Sequence, residues 1–455
     1  MMEILQKQHA FFKSQQTKDV TYRREFLKKL RQEIIKREAD ICDAIYADFK
    51  KPRFESMAAE TQFVLAELNY VIKNIKKWAR PEKVSGSLLN FPSSDWLYKE
   101  PYGTVLIVAP WNYPFQLAIA PLIGALAAGN TAVIKPSEIT PNTSKIISEI
   151  ITTTFKEEYV AVVEGGIEVS KSLLDQKWDY IFFTGSTNVG KIFYQSAAKH
   201  LTPVTLELGG KNPAIVDNTA SIKLAAKRIV WGKFLNAGQT CIATDYILVH
   251  KDVKAKLVAA LQKSIEDAYG TDIEASKDYA RTVSANHFNN LKEMLVGQDI
   301  IFGGQSNKTD NYLAPTLVNE PSLDSKLMQG EIFGPILPII AYNTEADIEK
   351  YIMQYGKPLA TYVFSTNRKF QQKIIHKYSF GGGAINDTVI HITNKKLPFG
   401  GVGSSGIGAY HGKTSFDIFS HQKAIIKRAN WLDAPLRYPP YNLPLKLVEK
   451  VKHLF

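Results

Sequence analysis

Cysteine is scarce in this chain: 455 residues include only Cys42 and Cys241. Two thiols make neither a disulfide framework nor a zinc site, so no metal is expected and a reducing cytoplasm fits. Long apolar runs are missing as well. The most apolar stretch, Leu117 to Ala128, is too short to span a bilayer and contains Pro121 and Gly124. No cationic, apolar, cleavable leader opens the chain, and Met1-Met-Glu-Ile-Leu-Gln instead starts an amphipathic helix. The expectation is a soluble protein without a transmembrane anchor. Internal repeats, low-complexity segments and basic runs interleaved with aromatics are also absent, so no nucleic-acid partner is expected. Acidic residues are in deficit, 44 against 56 basic ones, a net charge of +12. Such a surplus attracts anions, nucleotides among them. The basic tail Lys446 to Phe455 could make weak peripheral contact with a membrane, although a packed terminal helix is the plainer reading.

The chain is long enough for two or three domains around a large core. Apolar positions three and four apart predict helices over Gln6 to Phe12, Arg23 to Phe49 and Ser56 to Ala79. Residues 82–98 mix turn residues with aromatics and read as an extended arm. From Thr104 the rhythm changes to short apolar strands separated by helices, the signature of a parallel, doubly wound sheet. Its strands are Thr104 to Ala109, Thr131 to Lys135, Tyr159 to Val163, Tyr180 to Phe183 and Val204 to Leu208. A second α/β series follows Lys211, with strands at Pro213 to Val216, Tyr246 to Val249, Ile336 to Ile340 and Thr361 to Phe364. The polar run Gly303 to Asn311 reads as an exposed loop. A boundary near residue 210 therefore separates two domains.

Chemistry gathers on either side of that boundary. Leu206-Glu-Leu-Gly-Gly-Lys211 puts a carboxylate, Glu207, at the carboxyl end of a strand, where α/β sheets place their ligands. Asn236-Ala-Gly-Gln-Thr-Cys241 puts a thiol in a small-residue loop after a helix. Together they suggest a nucleophile and a general base in an interdomain cleft. Cys42, in a charged helix with no such neighbours, reads as structural. Thr184-Gly-Ser-Thr-Asn-Val-Gly190 follows a strand and opens a helix, so backbone N–H groups around Gly185 and Ser186 suit a pyrophosphate, or else only cap the helix. Lys135-Pro-Ser-Glu138 could hydrogen-bond the ribose hydroxyls of an adenosine, or form a surface turn. In Pro110-Trp-Asn-Tyr-Pro114 the Asn112 amide could donate to an oxyanion. Glu331-Ile-Phe-Gly-Pro335 offers a carboxylate and a ring to a sugar and a flat heterocycle. Gly401-Val-Gly-Ser-Ser-Gly406 matches GxGxxG, but no buried strand precedes it and it reads as a tight loop.

Taken in order, these motifs, with Pro398-Phe-Gly-Gly-Val-Gly-Ser-Ser-Gly406, resemble the aldehyde dehydrogenase superfamily over essentially the whole length. Tyr113, Tyr410-His-Gly-Lys-Thr-Ser-Phe-Asp417 and Arg437-Tyr-Pro-Pro-Tyr441 look like its class 3 branch. The resemblance implies two Rossmann-like open-sheet domains and a small oligomerisation arm. On this reading residues 1–210 hold the N-terminal helices and cofactor domain, with 82–98 as the arm. Residues 211–395 form the catalytic domain, and 396–455 return to the cofactor domain and a dimer interface. It implies NAD(P)-dependent oxidation of medium- or long-chain aliphatic or aromatic aldehydes, with NAD primary and NADP left open.

The resemblance also assigns roles. Cys241 would attack the aldehyde as thiolate, forming a thiohemiacetal and then a thioester, which water activated by Glu207 would hydrolyse. Asn112 and the Cys241 backbone N–H would hold the oxyanion. Lys135 and Glu138 would bind the adenosine ribose, Trp111, Gly185 and Ser186 the pyrophosphate, Val189 the adenine face, and Glu331 and Phe333 the nicotinamide riboside. Two rivals remain: a CoA-acylating dehydrogenase, against which Glu207 speaks, and a non-catalytic protein that keeps the fold.

Overall fold

The computed structural model describes residues 2–433 apart from 88 and 89, together with 437–441, 444–446 and 449. Among them two open sheets carry the molecule. The first has six strands, in the order Gly406–Ile407, Val204–Glu207, Tyr180–Thr184, Thr104–Val108, Thr131–Lys135 and Val160–Val162. All pairings in it are parallel except that of the outer strand Gly406–Ile407. Thr104–Val108, Thr131–Lys135 and Tyr180–Thr184 are buried at every position. Burial on both faces explains why they read as unbroken apolar runs rather than alternating ones.

The second sheet has seven strands: Ile300–Phe302, Thr316–Asn319, Ile336–Tyr342, Tyr246–His250, Pro213–Val216, Ala360–Phe364 and Gly382–Ile385. Only the outer Ile300–Phe302 runs antiparallel. The α/β class expected from the sequence is the class observed. The apolar stretch around Leu117 is the helix Gln116–Ala128, buried at all of its positions. Among the described residues no helix is long and apolar enough to cross a membrane.

The arm segment supplies Glu82–Val84 and Ser93–Pro101, which join Ser420–Arg428 in a third, three-stranded antiparallel sheet. Ser420–Arg428 pairs with Ser93–Pro101 from Ser420 opposite Pro101 to Arg428 opposite Ser93, and among the described residues no strand pairs with its outer edge.

Several elements depart from the periodicity reading. The helix expected over Arg23 to Phe49 is two helices, Val20–Lys36 and Glu38–Phe49, broken at Arg37 with φ −101° and ψ 13°. No glycine or proline marks that kink, so the apolar spacing runs through it unbroken. The stretch from Ser56 contains one π turn, Met57–Thr61, between Arg53–Ser56 and Gln62–Trp78. Such turns mark functional sites more often than chance. Here it carries Glu60 inward to a fully buried ion pair with Lys51 at 2.7 Å. The run Gly303 to Asn311 is only partly loop, since Ser306–Asn307 pairs with Tyr312–Leu313. The helix Ala285–Met294 and the strands Ile300–Phe302, Thr316–Asn319 and Gly382–Ile385 were not foreseen. Most of the basic tail from Lys446 lies outside the described residues.

Candidate active site

The nucleophile loop begins where the helix Ile222–Phe234 ends. Asn236, Ala237 and Gly238 then take φ of 56°, 51° and 76°. Left-handed backbone costs a non-glycine residue roughly 1–2 kcal/mol, so the turn persists only because its surroundings hold it. The Asn236 N–H donates to the Glu55 carboxylate at 2.9 Å. Its side-chain Nδ2 donates to the Asn112 carbonyl at 2.8 Å and to that of Gln239 at 3.2 Å. The Gln239 amide donates to the Arg281 carbonyl at 2.9 Å and accepts from the Val283 N–H at 2.9 Å. At Gly238 a Cβ would stand 2.3 Å from the Gly334 carbonyl oxygen, so only glycine lets the Glu331–Pro335 loop approach this closely.

Asn112 and Cys241 are registered against the same turn. Asn112 Nδ2 donates to the Gln239 carbonyl at 3.0 Å. The Cys241 carbonyl accepts from Asn212 Nδ2 at 2.8 Å, and Asn212 Oδ1 in turn accepts from the Ala360 N–H of the second sheet at 2.8 Å. Thr240, beside the thiol, shares a 2.7 Å hydrogen bond with the Tyr113 hydroxyl.

Two carboxyl groups lie close to the thiol. Glu207 is 3% exposed, and neither carboxyl oxygen has a hydrogen-bond partner. Burial alone holds its pKa well above the usual carboxylate range. Glu331 is pushed up to about 8, first by burial and then by Asp245, with the Gly210 N–H, Lys211 and Lys233 pulling the other way. A Cβ at Gly209 would be 1.9 Å from Glu331 Oε2, so this glycine makes room for the second carboxyl. Lys211 fixes that loop: its ammonium donates to Asp245 at 2.6 Å and to the carbonyls of Leu327 and Gly330 at 3.1 and 2.8 Å. Burial, then Glu331, then Glu207 push the Cys241 thiol well above its ordinary value. An uncharged thiol flanked by carboxyls needs a base to take its proton before it can attack.

Of the predicted cofactor residues, Trp111, Lys135, Glu138, Gly185, Ser186 and Val189 follow the carboxyl ends of strands in the first sheet, and Glu331 and Phe333 precede a strand of the second. Gly185 N–H donates to the Glu207 carbonyl at 3.0 Å, tying the Gly185–Ser186 turn to the strand that carries the carboxylate. Ser186 caps the helix Thr187–Ala198, its hydroxyl accepting from the Val189 N–H at 3.4 Å, and Val189 is exposed. Glycine at 185 keeps a side chain off the turn, because a Cβ there would lie 2.6 Å from the Phe183 ring. Lys135, 5% exposed, forms an ion pair with Glu138, which is 40% exposed. Across the cleft Phe333 takes φ 54°, its carbonyl accepts from His287 Nε2 at 2.8 Å, and its ring stands edge-on to Trp111 at 5.2 Å. A helix start with free N–H groups, an ion pair able to open toward two hydroxyls and a pair of aromatic rings fit a dinucleotide.

On the far side of Cys241 a cavity of about 450 Å³ opens, walled by Phe63, Tyr113, Leu117, Trp231, Ile242, Ile392, Phe399 and Tyr410. That size and lining suit a small apolar ligand. His411 does not line this cavity. It is buried behind the wall, its ring stacked on Tyr410 at 3.9 Å and edge-on to Phe63 at 5.2 Å. Glu55, Asp278 and Gln116, which do line it, had no signal in the sequence. The Lys51–Glu60 pair also had none, although Lys51 lies 3.7 Å above the Tyr113 ring and Glu60 accepts the N–H groups of Phe115 and Gln116.

A dinucleotide-type sheet on one side and an apolar cavity with a thiol on the other make the layout of an oxidoreductase. The chain belongs to the aldehyde dehydrogenase family, whose model matches residues 2–425. Within it the chain is similar to 4,4'-diaponeurosporen-aldehyde dehydrogenase of Staphylococcus aureus, 50% identical over 442 residues that cover 97% of this chain and 96% of the relative. It is also similar to aldehyde dehydrogenase family 3 member A2 of Rattus norvegicus, 42% identical over 97% of this chain and 91% of that one. A solved structure described as the substrate-bound state of Staphylococcus aureus AldH superposes with a TM-score of 0.97 at 49% identity, covering 99% of this chain and 98% of the other. The class 3 resemblance is borne out, and with it an oxidoreductase acting on the aldehyde group with NAD or NADP. The CoA-acylating and non-catalytic rivals are not favoured.

Proposed function

We propose that Cys241, Glu207 and Asn112 oxidise medium- or long-chain aliphatic or aromatic aldehydes to carboxylates. The observation that carries this reading is a thiol opening on an apolar cavity, with an unpartnered buried carboxylate close by. Cys241 gives up its proton to water and attacks the carbonyl carbon as thiolate, and the developing oxyanion is held by Asn112 Nδ2 and the Cys241 N–H. Asn112 Nδ2 donates one of its two hydrogens to the Gln239 carbonyl here, which leaves the second for the oxyanion. A bound nicotinamide supplies the acceptor for the aldehyde hydrogen, and a thioester is left on the sulfur. Glu207, ionised, takes a proton from water as that water attacks the thioester, releasing acid and thiol. Burial suits Glu207 to this task, because a carboxylate of ordinary pKa is too weak a base for water.

Lys135, Glu138, Trp111, Gly185, Ser186, Val189, Glu331 and Phe333 hold the cofactor in this proposal, with NAD preferred. If Glu138 holds the adenosine ribose, its carboxylate would repel a 2′-phosphate there, because juxtaposed like charges are costly. Glu138→Gln is expected to raise kcat/KM for NADP by roughly tenfold relative to NAD, measured by initial rates with each cofactor. An unchanged ratio would remove Glu138 from cofactor choice.

The same proposal divides the chain near residue 210 and again near 395, and makes the three-stranded sheet part of a homodimer interface. Support for the dimer is the edge of Ser420–Arg428, which no strand among the described residues covers and where Ile425 and Ile426 are exposed. Cytoplasmic location rests on the two free cysteines.

The reading is tested by initial rates of NADH formation across alkanals of rising length and benzaldehyde. The expected result is a kcat/KM that climbs with chain length as more apolar surface enters the cavity. A preference for the shortest aldehydes would contradict it.

A further inference from the structure

The cavity at Cys241 is apolar along most of its wall, yet two carboxylates line it, Glu55 and Asp278. They come from different parts of the fold. Glu55 stands on the short helix Arg53–Ser56 and Asp278 on the loop before Tyr279. Burial pushes the Glu55 carboxyl up to about 7, against the pull of Lys51 and the Asn236 N–H, and Asp278 is close enough to add a smaller push in the same direction. Both also act on the Tyr269 phenol, which lines the same cavity. Asp278 is exposed and Glu55 partly so, which puts this acidic pair where the cavity meets solvent.

Among the described residues no lysine or arginine lines the cavity. Lys51 stabilises the Glu55 carboxylate by more than Asp278 opposes it, but its ammonium is fully buried and paired with Glu60 at 2.7 Å and the Tyr113 ring, so it does not line the cavity itself. The cavity itself is built to be filled. Gln116, 4% exposed, lines it with an amide nitrogen that has no partner, and the buried Tyr410 hydroxyl on the same wall has none either. Buried donors left unsatisfied are costly and call for a ligand or ordered water.

We propose that Glu55 and Asp278 are specificity determinants that exclude aldehydes carrying an anionic group at the end remote from the carbonyl. This rests on the reading above that the cavity takes the aldehyde chain with its carbonyl at Cys241. An aldehyde whose far end is neutral leaves both carboxylates hydrated at the mouth. One ending in a carboxylate brings a like charge beside Asp278 and the ionised fraction of Glu55 at an apolar-walled opening, where the repulsion is weakened less than in bulk water. The same field favours departure of the product acid.

The test compares an ω-oxo-carboxylate with the alkanal of equal chain length, in the unmutated protein, Asp278→Asn and Glu55→Gln, with Cys241→Ala as control. The quantity read is the ratio of the two kcat/KM values, so any general loss of activity cancels. Asp278→Asn is the primary variant because Glu55 also holds the Asn236 N–H. Either variant is expected to raise the relative kcat/KM of the anionic aldehyde roughly tenfold. Added salt is expected to raise it in the unmutated protein and much less in the variants, a response a merely structural role would not give. A ratio unchanged in both variants and insensitive to salt, with the alkanal still oxidised and Cys241→Ala inert, would overturn the proposal and leave the underlying reading intact. Oxidation of the alkanal by Cys241→Ala would overturn both.

Discussion

Cys241→Ala is expected to lower aldehyde oxidation by on the order of 10⁴-fold or more, since the covalent route has no substitute nucleophile. The other cysteine, Cys42, is buried in the helix Glu38–Phe49, and burial pushes its thiol up to about 11. It offers no alternative thiolate. The variant should fold normally, because the loop is held by Asn236, Gln239 and Asn212 rather than by the sulfur. Initial rates and cofactor binding by fluorescence, measured on the same preparation, check the prediction. Activity within tenfold of the unmutated protein would show that the thiol is not the nucleophile.

Glu207→Gln is expected to separate the two halves of the reaction. Formation of the thioester does not use Glu207 as the water base, so one equivalent of NADH should still appear rapidly after mixing. The following steady rate should fall by about 10²–10⁴-fold, the usual contribution of a positioned general base. The pH dependence follows from the direction of the shift. Burial raises the Glu207 pKa, so the carboxyl is protonated and idle at low pH. Hydrolysis in the unmutated protein therefore climbs as pH rises through that raised value, and this limb is expected to vanish in the glutamine variant. Stopped-flow absorbance gives burst and steady rate together. A proportional loss of both phases would assign Glu207 to the first half of the reaction instead.

Much of this site was visible in the sequence because it rides on buried strands. The apolar runs ending at Lys135, Thr184 and Glu207 each finish on a polar residue or a glycine, and parallel topology brings those ends to one edge of the sheet. What escaped was what tertiary contacts alone create. Glu55 lies 181 positions before the Asn236 N–H that it accepts, and nothing local distinguishes it from any helical glutamate. The inward turn of Glu60 depends on a π turn that leaves the helical periodicity almost undisturbed. Asn236 suits left-handed backbone, but nothing in the side chain of Ala237 advertises that it follows in the same conformation. The strand Gly382–Ile385 was hidden by its glycines, which lack the side chains that mark a strand. Gly383 is there because a Cβ would stand 2.0 Å from the Thr361 carbonyl oxygen.

The most direct test of a covalent cysteine route is the mass of the intact Glu207→Gln protein after mixing with NAD and a long-chain aldehyde, followed by peptide mapping. The account predicts one added acyl group, located on the peptide that contains Cys241 and absent when NAD is omitted. An unmodified protein that has nevertheless formed NADH, or an acyl group on any other residue, would contradict it.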